Sequence, residues 1–248
     1  MTLERLKTDI LILGSGGADL FAALHAHKAN PDLGVTVATK GLLGKCGCTR
    51  MVQGGYNVAL NPGDSIERHF MDTIEGGKWL PHQELAWTLV STAVERVREL
   101  ENEIGCFFDR NPDSTLHGKA FAGQSFDRTV HKGDLTGIEI INRLMEQVSA
   151  RPIHRLEEHR AVALVPTKDG ALAGVLMIDM RTGAFRFVAG RRCCWRPAAD
   201  PPCIATTPRP ATRAWTGWRW RCARGFRCAI WRWSSSIRPG SSPERTRA

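Results

Sequence analysis

The feature that most constrains the fold is the stretch from Asp9 to His25, where an apolar strand runs into a glycine turn and then an alanine-rich helix. Ile10 to Leu13 are continuous β-formers, as expected for a strand covered on both faces in a parallel sheet. The turn that follows consists of Gly14, Ser15, Gly16 and Gly17. Such a turn brings backbone N–H groups and the positive end of a helix to a pyrophosphate. It predicts a dinucleotide site, although a plain strand–turn–helix connection has the same local pattern.

The third glycine of the pattern G-x-G-x-x-G is replaced by Asp19. A carboxylate about 5 Å from a pyrophosphate charge costs roughly 3 kcal/mol at an effective dielectric near 20, which is on the order of a hundredfold in affinity. Interaction with the helix N-terminus offsets only about 0.3 to 1 kcal/mol of that cost. We therefore expect Asp19 to weaken nucleotide binding and Asp19→Gly to restore it.

Two different compositions are joined in this chain of 248 residues with a formal net charge of +9. Residues 191–248 contain 13 Arg, no Lys and 2 acids, a balance of +11, and 6 of the 8 Trp. Residues 1–190 therefore carry a balance of −2. The overall basic charge belongs to the tail, and the first 190 residues give no sign of an acidic partner.

Neither a membrane span nor a secretory signal is expected, because the sequence has no run of about 18 apolar residues and no basic segment followed by an apolar one at its start. The cysteines show no disulfide framework and no zinc-site spacing, so no metal site is predicted. These features favour a cytoplasmic protein.

The order of elements after the glycine turn predicts an α/β fold. Val35 to Ala38 is expected to be a second strand, and it ends at Thr39 and Lys40, where a Rossmann-type fold approaches the adenosine ribose. Thr39 offers only a hydroxyl there, so it indicates no preference for NAD. Residues 162–165 and 175–180 predict a β-hairpin, and residues 185–188 a third strand.

Two helices are predicted from their caps and apolar stripes. Asp64 and Ser65 are expected to cap a helix over residues 66–74. Residues 83–104 carry a stripe at helical spacing that we interpret as core packing; it consists of Leu85, Leu89, Ala93, Val97, Leu100 and Ile104.

A charged segment precedes a third helix that is predicted from Thr136 onward. It contains Arg128, His131, Lys132 and Asp134. One interpretation is a solvated loop in which Thr136 caps the helix; the other is a functional cluster.

Five motifs in a fixed order resemble the flavoprotein subunit of the succinate dehydrogenase/fumarate reductase family, which includes L-aspartate oxidase. They are GSGGA at residues 14–18, the loop ending in Gln53-Gly54-Gly55, HFMDTIEGG at 69–77, FFDR at 107–110 and GDLTG at 133–137. The resemblance implies a Rossmann-like FAD-binding domain of the glutathione-reductase type over residues 1–190, with a parallel sheet and a β-hairpin or meander. It also implies that this domain is incomplete.

FAD is the cofactor that the resemblance implies. In the family the glycine turn holds the pyrophosphate, the Gln-Gly-Gly loop lines the isoalloxazine, and the strand around Ala161 passes the adenine. The implied cofactor residues are Gly14, Ser15, Gly16, Gly17, Ala18, Thr39, Lys40, Cys48, Thr49, Gln53, Gly54, Gly55 and Ala161. Some family members bind FAD covalently through a histidine five residues before the glutamine, where this chain has Cys48. Non-covalent FAD is therefore expected, with a cysteinyl link as the alternative.

The family pattern stops near Arg191. Reading plausible codons of Cys193 to Pro201 one base earlier permits VLLATGGGP, and the same shift of Ile230 to Gly240 permits MEMVQFHPTG. Both strings are signatures of the family. We therefore expect residues 191–248 to be translated out of frame and, lacking strand or helix periodicity, to be disordered.

The resemblance further implies hydride exchange between flavin N5 and a small dicarboxylate such as succinate or fumarate, with L-aspartate oxidation as an alternative. The arginines and histidines that bind the dicarboxylate in the family have no counterpart here, so no catalytic residue is predicted and activity of the chain is doubtful. An iron–sulfur partner subunit is implied for respiratory members only, which would place the protein at the membrane surface. The rival function is a basic protein whose Arg- and Trp-rich tail binds nucleic acid or anionic surfaces without sequence specificity.

Overall fold

The computed structural model describes residues 3–195. Within them the strands are β1 (Glu4–Leu13), β2 (Val35–Ala38), β3 (Tyr56–Asn57), β4 (Gly118–Lys119), β5 (Thr129–Val130), β6 (His154–Leu156), β7 (His159–Pro166), β8 (Leu172–Asp179) and β9 (Phe185–Trp195). The helices are α1 (Gly17–Ala29), α2 (Ile66–Gly76), α3 (Gln83–Asn102) and α4 (Thr136–Ser149), with a short 3-10 helix at Thr49–Met51.

The central sheet has six strands in the order β6-β2-β1-β9-β8-β7. Four of them, β6, β2, β1 and β9, are parallel. The β7–β8 hairpin continues the sheet in antiparallel fashion beside β9. A separate three-stranded sheet has the order β3-β5-β4. The predicted combination of a parallel sheet with a hairpin is confirmed.

Strand β1 is longer than the apolar run that predicted it. Only its second half, from Ile10 to Leu13, pairs with β2. Strand β9 pairs along the whole length of β1, from Glu4 opposite Arg186 to Leu13 opposite Trp195. The polar first half is a strand because β9, which lies far away in the sequence, pairs with it.

The core lies on both faces of the sheet. On one face α1 and α4 pack against β1 and β2, with Leu20, Ile141 and Leu144 fully or almost fully buried. On the other face Leu11 and Leu13 meet Val175 and Met177 of β8. Burial on both sides explains why β1 carries an unbroken apolar run from Ile10 onward.

The expected stripe on α3 is wrong in its first two turns. Ala86 and Val90 are buried there, whereas Leu89 is 57% exposed. From Val97 onward the predicted residues do face the core. Because Ala86 and Val90 each lie one position after a predicted leucine, the buried face of this end of the helix is rotated by about 100°.

Two predicted caps also need correction. Ser65 does cap α2, because its hydroxyl accepts a hydrogen bond from the Arg68 amide. Asp64 instead binds Arg128. Thr136 is the first residue of α4 and not its cap; its hydroxyl accepts the Lys132 amide and closes the preceding turn.

The expected domain boundary at residue 190 falls inside β9. That strand continues to Trp195, and Cys193 lies opposite Leu11 in β1. The backbone therefore stays extended for five residues beyond the expected boundary. The rest of the predicted disordered tail, residues 196–248, lies outside the described residues.

Candidate cofactor site

The glycine turn lies at the carboxyl edge of the parallel strands β1 and β2. Gly14 has a φ of 132° and donates its amide hydrogen to the Ala38 carbonyl at 2.9 Å. The Ser15 hydroxyl donates to the Thr39 hydroxyl at 3.2 Å, and both side chains are buried. This edge is where open α/β sheets bind ligands. The structure thus brings together Ser15 and Thr39, two of the residues that the resemblance implies for the cofactor site.

The loop that contains Thr49 closes over the start of α1. The Gly17 amide donates to the Thr49 hydroxyl at 2.9 Å. A Cβ atom on Gly17 would lie only 3.1 Å from Thr49 Cγ2. Gly47 approaches the turn from the same side, because its Cβ atom would lie 3.9 Å from the Gly16 Cα. The turn and the segment that carries Cys48, whose side chain is exposed, are thus neighbours.

Asp19 turns its carboxylate back into the glycine turn. Its Oδ2 atom accepts the Gly16 amide hydrogen at 3.0 Å, and the residue is 7% exposed. A Cβ atom on Gly14 would lie 2.4 Å from the same oxygen. A glycine at position 19 would let the helix and the strand pack closely, and here the Asp19 carboxylate occupies that space.

The loop at Gln53-Gly54-Gly55 is held between two other segments. Gly55 has a φ of 118°, and a Cβ atom there would lie 2.3 Å from the Val130 carbonyl oxygen. A Cβ atom on Gly54 would lie 3.2 Å from the ring of Phe121. The loop is also fixed to α4, because the Gly137 amide donates to the Val52 carbonyl at 2.9 Å. Gln53 itself is exposed.

The residues implied for the adenosine half lie at the start of β7. The Thr39 carbonyl accepts the His159 amide at 2.9 Å. Ala161 follows two residues later and packs against the apolar cluster that contains Leu11 and Ala38. Lys40 and Ala18 are both exposed. The residues implied by the resemblance therefore lie on the glycine turn and the start of α1, on the loop that follows β2, directly after β2, or on β7.

A chain of polar groups that the sequence did not predict lies beside Gly55. His117 Nδ1 and His131 Nε2 are 2.8 Å apart, and His131 Nδ1 is 3.2 Å from Asp109 Oδ2. Burial lowers the pKa of His131, opposed in part by the negative charge of Asp109. A Cβ atom on Gly55 would lie 3.1 Å from the Cβ atom of His131. His117 directly precedes β4 and His131 directly follows β5, its antiparallel partner, and the spacing of the sequence alone does not reveal this pairing.

Arg128 does not belong to a solvated loop, and that interpretation is wrong. It is 1% exposed and binds Asp64 through two hydrogen bonds, at 2.8 and 2.9 Å. A third, at 2.6 Å, goes to Asp72. Burial alone would raise the pKa of Asp72, but hydrogen bonds from Ser125 and Arg128 outweigh it and lower the pKa. The interpretation does hold for Asp134, which is exposed.

The amides, hydroxyls and glycines at this edge fit the pyrophosphate-binding end of a dinucleotide, with Asp19 as the one acidic group in the turn. No group of three metal-binding side chains occurs among residues 3–195. The sequence profile of the FAD binding domain family matches residues 9–195. The chain belongs to this family. FAD is therefore the cofactor of the domain, as the motifs predicted.

The relatives include flavoproteins of the fumarate reductase type. The chain is 44% identical over 179 residues to an uncharacterised FAD-dependent oxidoreductase of Methanocaldococcus jannaschii, covering 72% of this chain and 32% of that protein. It is 39% identical over 185 residues to one of the subunits of the fumarate reductase (CoM/CoB) of Methanothermobacter marburgensis, covering 73% and 33%. This chain thus spans about a third of the length of these relatives.

A solved structure supports the same fold. A mutant of the E. coli quinol fumarate reductase superposes with a TM-score of 0.75 at 28% identity, covering 79% of this chain and 33% of that one. The family that the motif order indicated is therefore confirmed. Within residues 3–195 no helix is long and apolar enough to cross a bilayer.

Proposed function

We propose that this chain holds FAD non-covalently at the carboxyl edge of β1 and β2. The observation that supports this most is the pair of backbone amides at the N-terminus of α1. The Gly16 amide donates to the Asp19 carboxylate, and the Gly17 amide donates to the Thr49 hydroxyl. Amides in that position suit an anionic phosphate, because the helix dipole adds to their partial positive charge. Ser15 and Thr39 fix the two strand ends, and Thr49 connects the turn to the loop of Gln53.

FAD, when bound, supplies hydride transfer to or from a carbon–carbon bond, and we propose a small dicarboxylate such as fumarate or succinate as the substrate of the parent enzyme. The relatives named fumarate reductase support this choice. We assign no catalytic residue in this chain. Arg128 cannot bind a carboxylate of the substrate, since its guanidinium already donates to Asp64 and Asp72 inside the domain. L-aspartate oxidation is the alternative within the same family.

A flavin spectrum and an activity assay test this proposal together. Purified protein is expected to show the visible absorbance of bound flavin and no reduction of fumarate by a reduced dye. Turnover would show that the chain does have a substrate site. A colourless protein that also fails to take up added FAD would refute the cofactor site. After acid precipitation the flavin should remain in the supernatant; flavin in the pellet would indicate a link to Cys48 instead.

A matched pair of glycine variants tests whether the flavin binds at the glycine turn. Gly17→Ala introduces a Cβ atom 3.1 Å from Thr49, whereas Gly76→Ala meets nothing within 4 Å. We expect lower flavin occupancy in the first variant and unchanged occupancy in the second. Equal occupancy in both would argue that the pyrophosphate lies elsewhere.

We also propose that residues from about Arg191 onward are translated out of frame, which is why a substrate site is not expected. The two permitted strings, VLLATGGGP and MEMVQFHPTG, support this, since they occur in the order of the family. The nucleotide sequence tests it: codons across Arg192 to Arg196 that are incompatible with GTGCTGCTGGC would exclude the shift.

For the parent enzyme we propose partner subunits, an iron–sulfur protein among them, that bring the flavoprotein from the cytoplasm to the membrane surface. The relative from Methanothermobacter marburgensis is named as one component of a larger enzyme, which supports an assembly. Gel filtration and affinity purification from the native host test it; a flavoprotein that elutes alone and copurifies with no iron would contradict it.

A further inference from the structure

The carboxylate of Asp19 binds a backbone amide of the glycine turn that the cofactor would also use. Its Oδ2 atom is 3.0 Å from the Gly16 nitrogen, and the residue is 7% exposed. The nearness of that oxygen to Gly14, 2.4 Å from a Cβ atom placed there, shows that the side chain is folded into the turn and does not extend into solvent. Such a position requires Gly14, because any larger residue would collide with the carboxylate.

An anionic oxygen that accepts an amide hydrogen at a helix N-terminus has the chemistry of a bound phosphate. The Asp19 carboxylate therefore provides the turn with the same kind of anionic hydrogen-bond acceptor that the pyrophosphate would provide. A phosphate oxygen approaching the Gly16 amide meets a negative oxygen already bound to it. The neighbouring Gly17 amide differs, because its acceptor is the neutral hydroxyl of Thr49. A phosphate can replace a hydroxyl there without repulsion between like charges.

We propose that the Asp19 carboxylate is an internal competitor of the FAD pyrophosphate for the Gly16 amide. FAD then binds only as the hydrogen bond between Gly16 and Asp19 opens. This inference rests on the proposed function, in that the glycine turn must hold the pyrophosphate. It differs from repulsion across space, which the sequence alone suggested, because competition is a contact between buried groups and salt screens it little.

Four proteins separate these cases: the wild type, Asp19→Gly, Asp19→Asn and Asp32→Gly. Asp19→Gly removes the competitor, and Asp19→Asn keeps an acceptor of the same size without its charge. Asp32→Gly is the matched control, because Asp32 is an exposed aspartate in the turn after α1. Circular dichroism verifies that each variant is folded, and Asp19→Asn keeps the test valid if the glycine variant loses helix.

Titration with FAD, followed by quenching of flavin fluorescence at low and at high salt, gives the affinities. We expect Asp19→Gly to bind FAD about tenfold to a hundredfold more tightly than the wild type, which is the range of a hydrogen bond to a charged group. Asp19→Asn should lie between them, and Asp32→Gly should equal the wild type. The gain should persist at high salt.

Each contrary result has its own meaning. A wild type and Asp19→Gly within twofold of each other would overturn the competition. A gain that vanishes at high salt would also overturn it and leave repulsion across space as the cause. No FAD binding by any variant would instead refute the cofactor site on which the inference rests.

Amide hydrogen exchange without FAD gives an independent measurement. The Gly16 amide should be protected in the wild type and in Asp32→Gly, and it should exchange faster in Asp19→Gly while the amides in the middle of α1 stay protected. A Gly16 amide that exchanges equally in all three proteins would contradict the hydrogen bond in solution.

Discussion

Arg128 and Asp19 are both charged residues that are almost fully buried, yet their surroundings differ. The guanidinium of Arg128 is matched by two carboxylates, Asp64 and Asp72, from a loop and from α2. The carboxylate of Asp19 accepts a backbone amide in the cofactor turn. A buried charge that is matched by opposite charges fixes the framework, whereas one that binds the amide of a ligand site stands in competition with the ligand.

The largest effect is expected on the framework side of this comparison. Arg128→Met should lower the free energy of unfolding by about 3–5 kcal/mol, because it leaves two carboxylates without the cation they face. Urea denaturation measures it. Lys28→Met is the matched control, since Lys28 and Glu103 form an exposed pair and little change is expected. Equal midpoints for the two variants would show that the Arg128 pairs contribute nothing.

The next effect tests how the cofactor side is held together. A Cβ atom on Gly137 would lie 2.0 Å from the Thr49 carbonyl oxygen, while Gly76 has open space around it. We expect Gly137→Ala to cost about 1–3 kcal/mol through overpacking and to lower FAD affinity by displacing Thr49. Gly76→Ala in α2 should be neutral or slightly stabilising. Thermal denaturation with and without FAD measures both, and an unaffected Gly137→Ala would show that the loop moves freely.

The smallest effect concerns pH and acts on the framework. Burial, and then the charge of Arg128, lowers the pKa of His69, and burial lowers that of His131. The unfolded chain therefore takes up protons first, at the ordinary histidine pKa of about 6.5, so stability should fall as the pH drops below that value. His69→Gln should flatten this dependence, and exposed His154→Gln should not. Parallel pH profiles for all three proteins would contradict the assignment.

Local patterns were sufficient for the cofactor half of the fold. The glycine turn, β2 and the hairpin could be predicted because each rests on neighbouring residues. Arg128 could not be interpreted in this way, since Asp64 and Asp72 lie 64 and 56 positions before it. The position of Asp19 was predicted to matter, but the direction of its carboxylate depends on the backbone of Gly14 and Gly16. On α3, packing against neighbouring elements rotated the buried face away from Leu89.

The long pairing between β1 and β9 has a consequence for synthesis of the chain. The turn is encoded within the first 20 residues, but one edge of β1 stays unpaired until Phe185–Trp195 has been made. At about 5–20 residues per second, the nascent chain carries this open edge for roughly 10 to 40 seconds. Unpaired strand edges recruit other chains. A ribosome that pauses before β9 therefore leaves the cofactor strand exposed to aggregation, and the order of translation becomes part of how this domain reaches its fold.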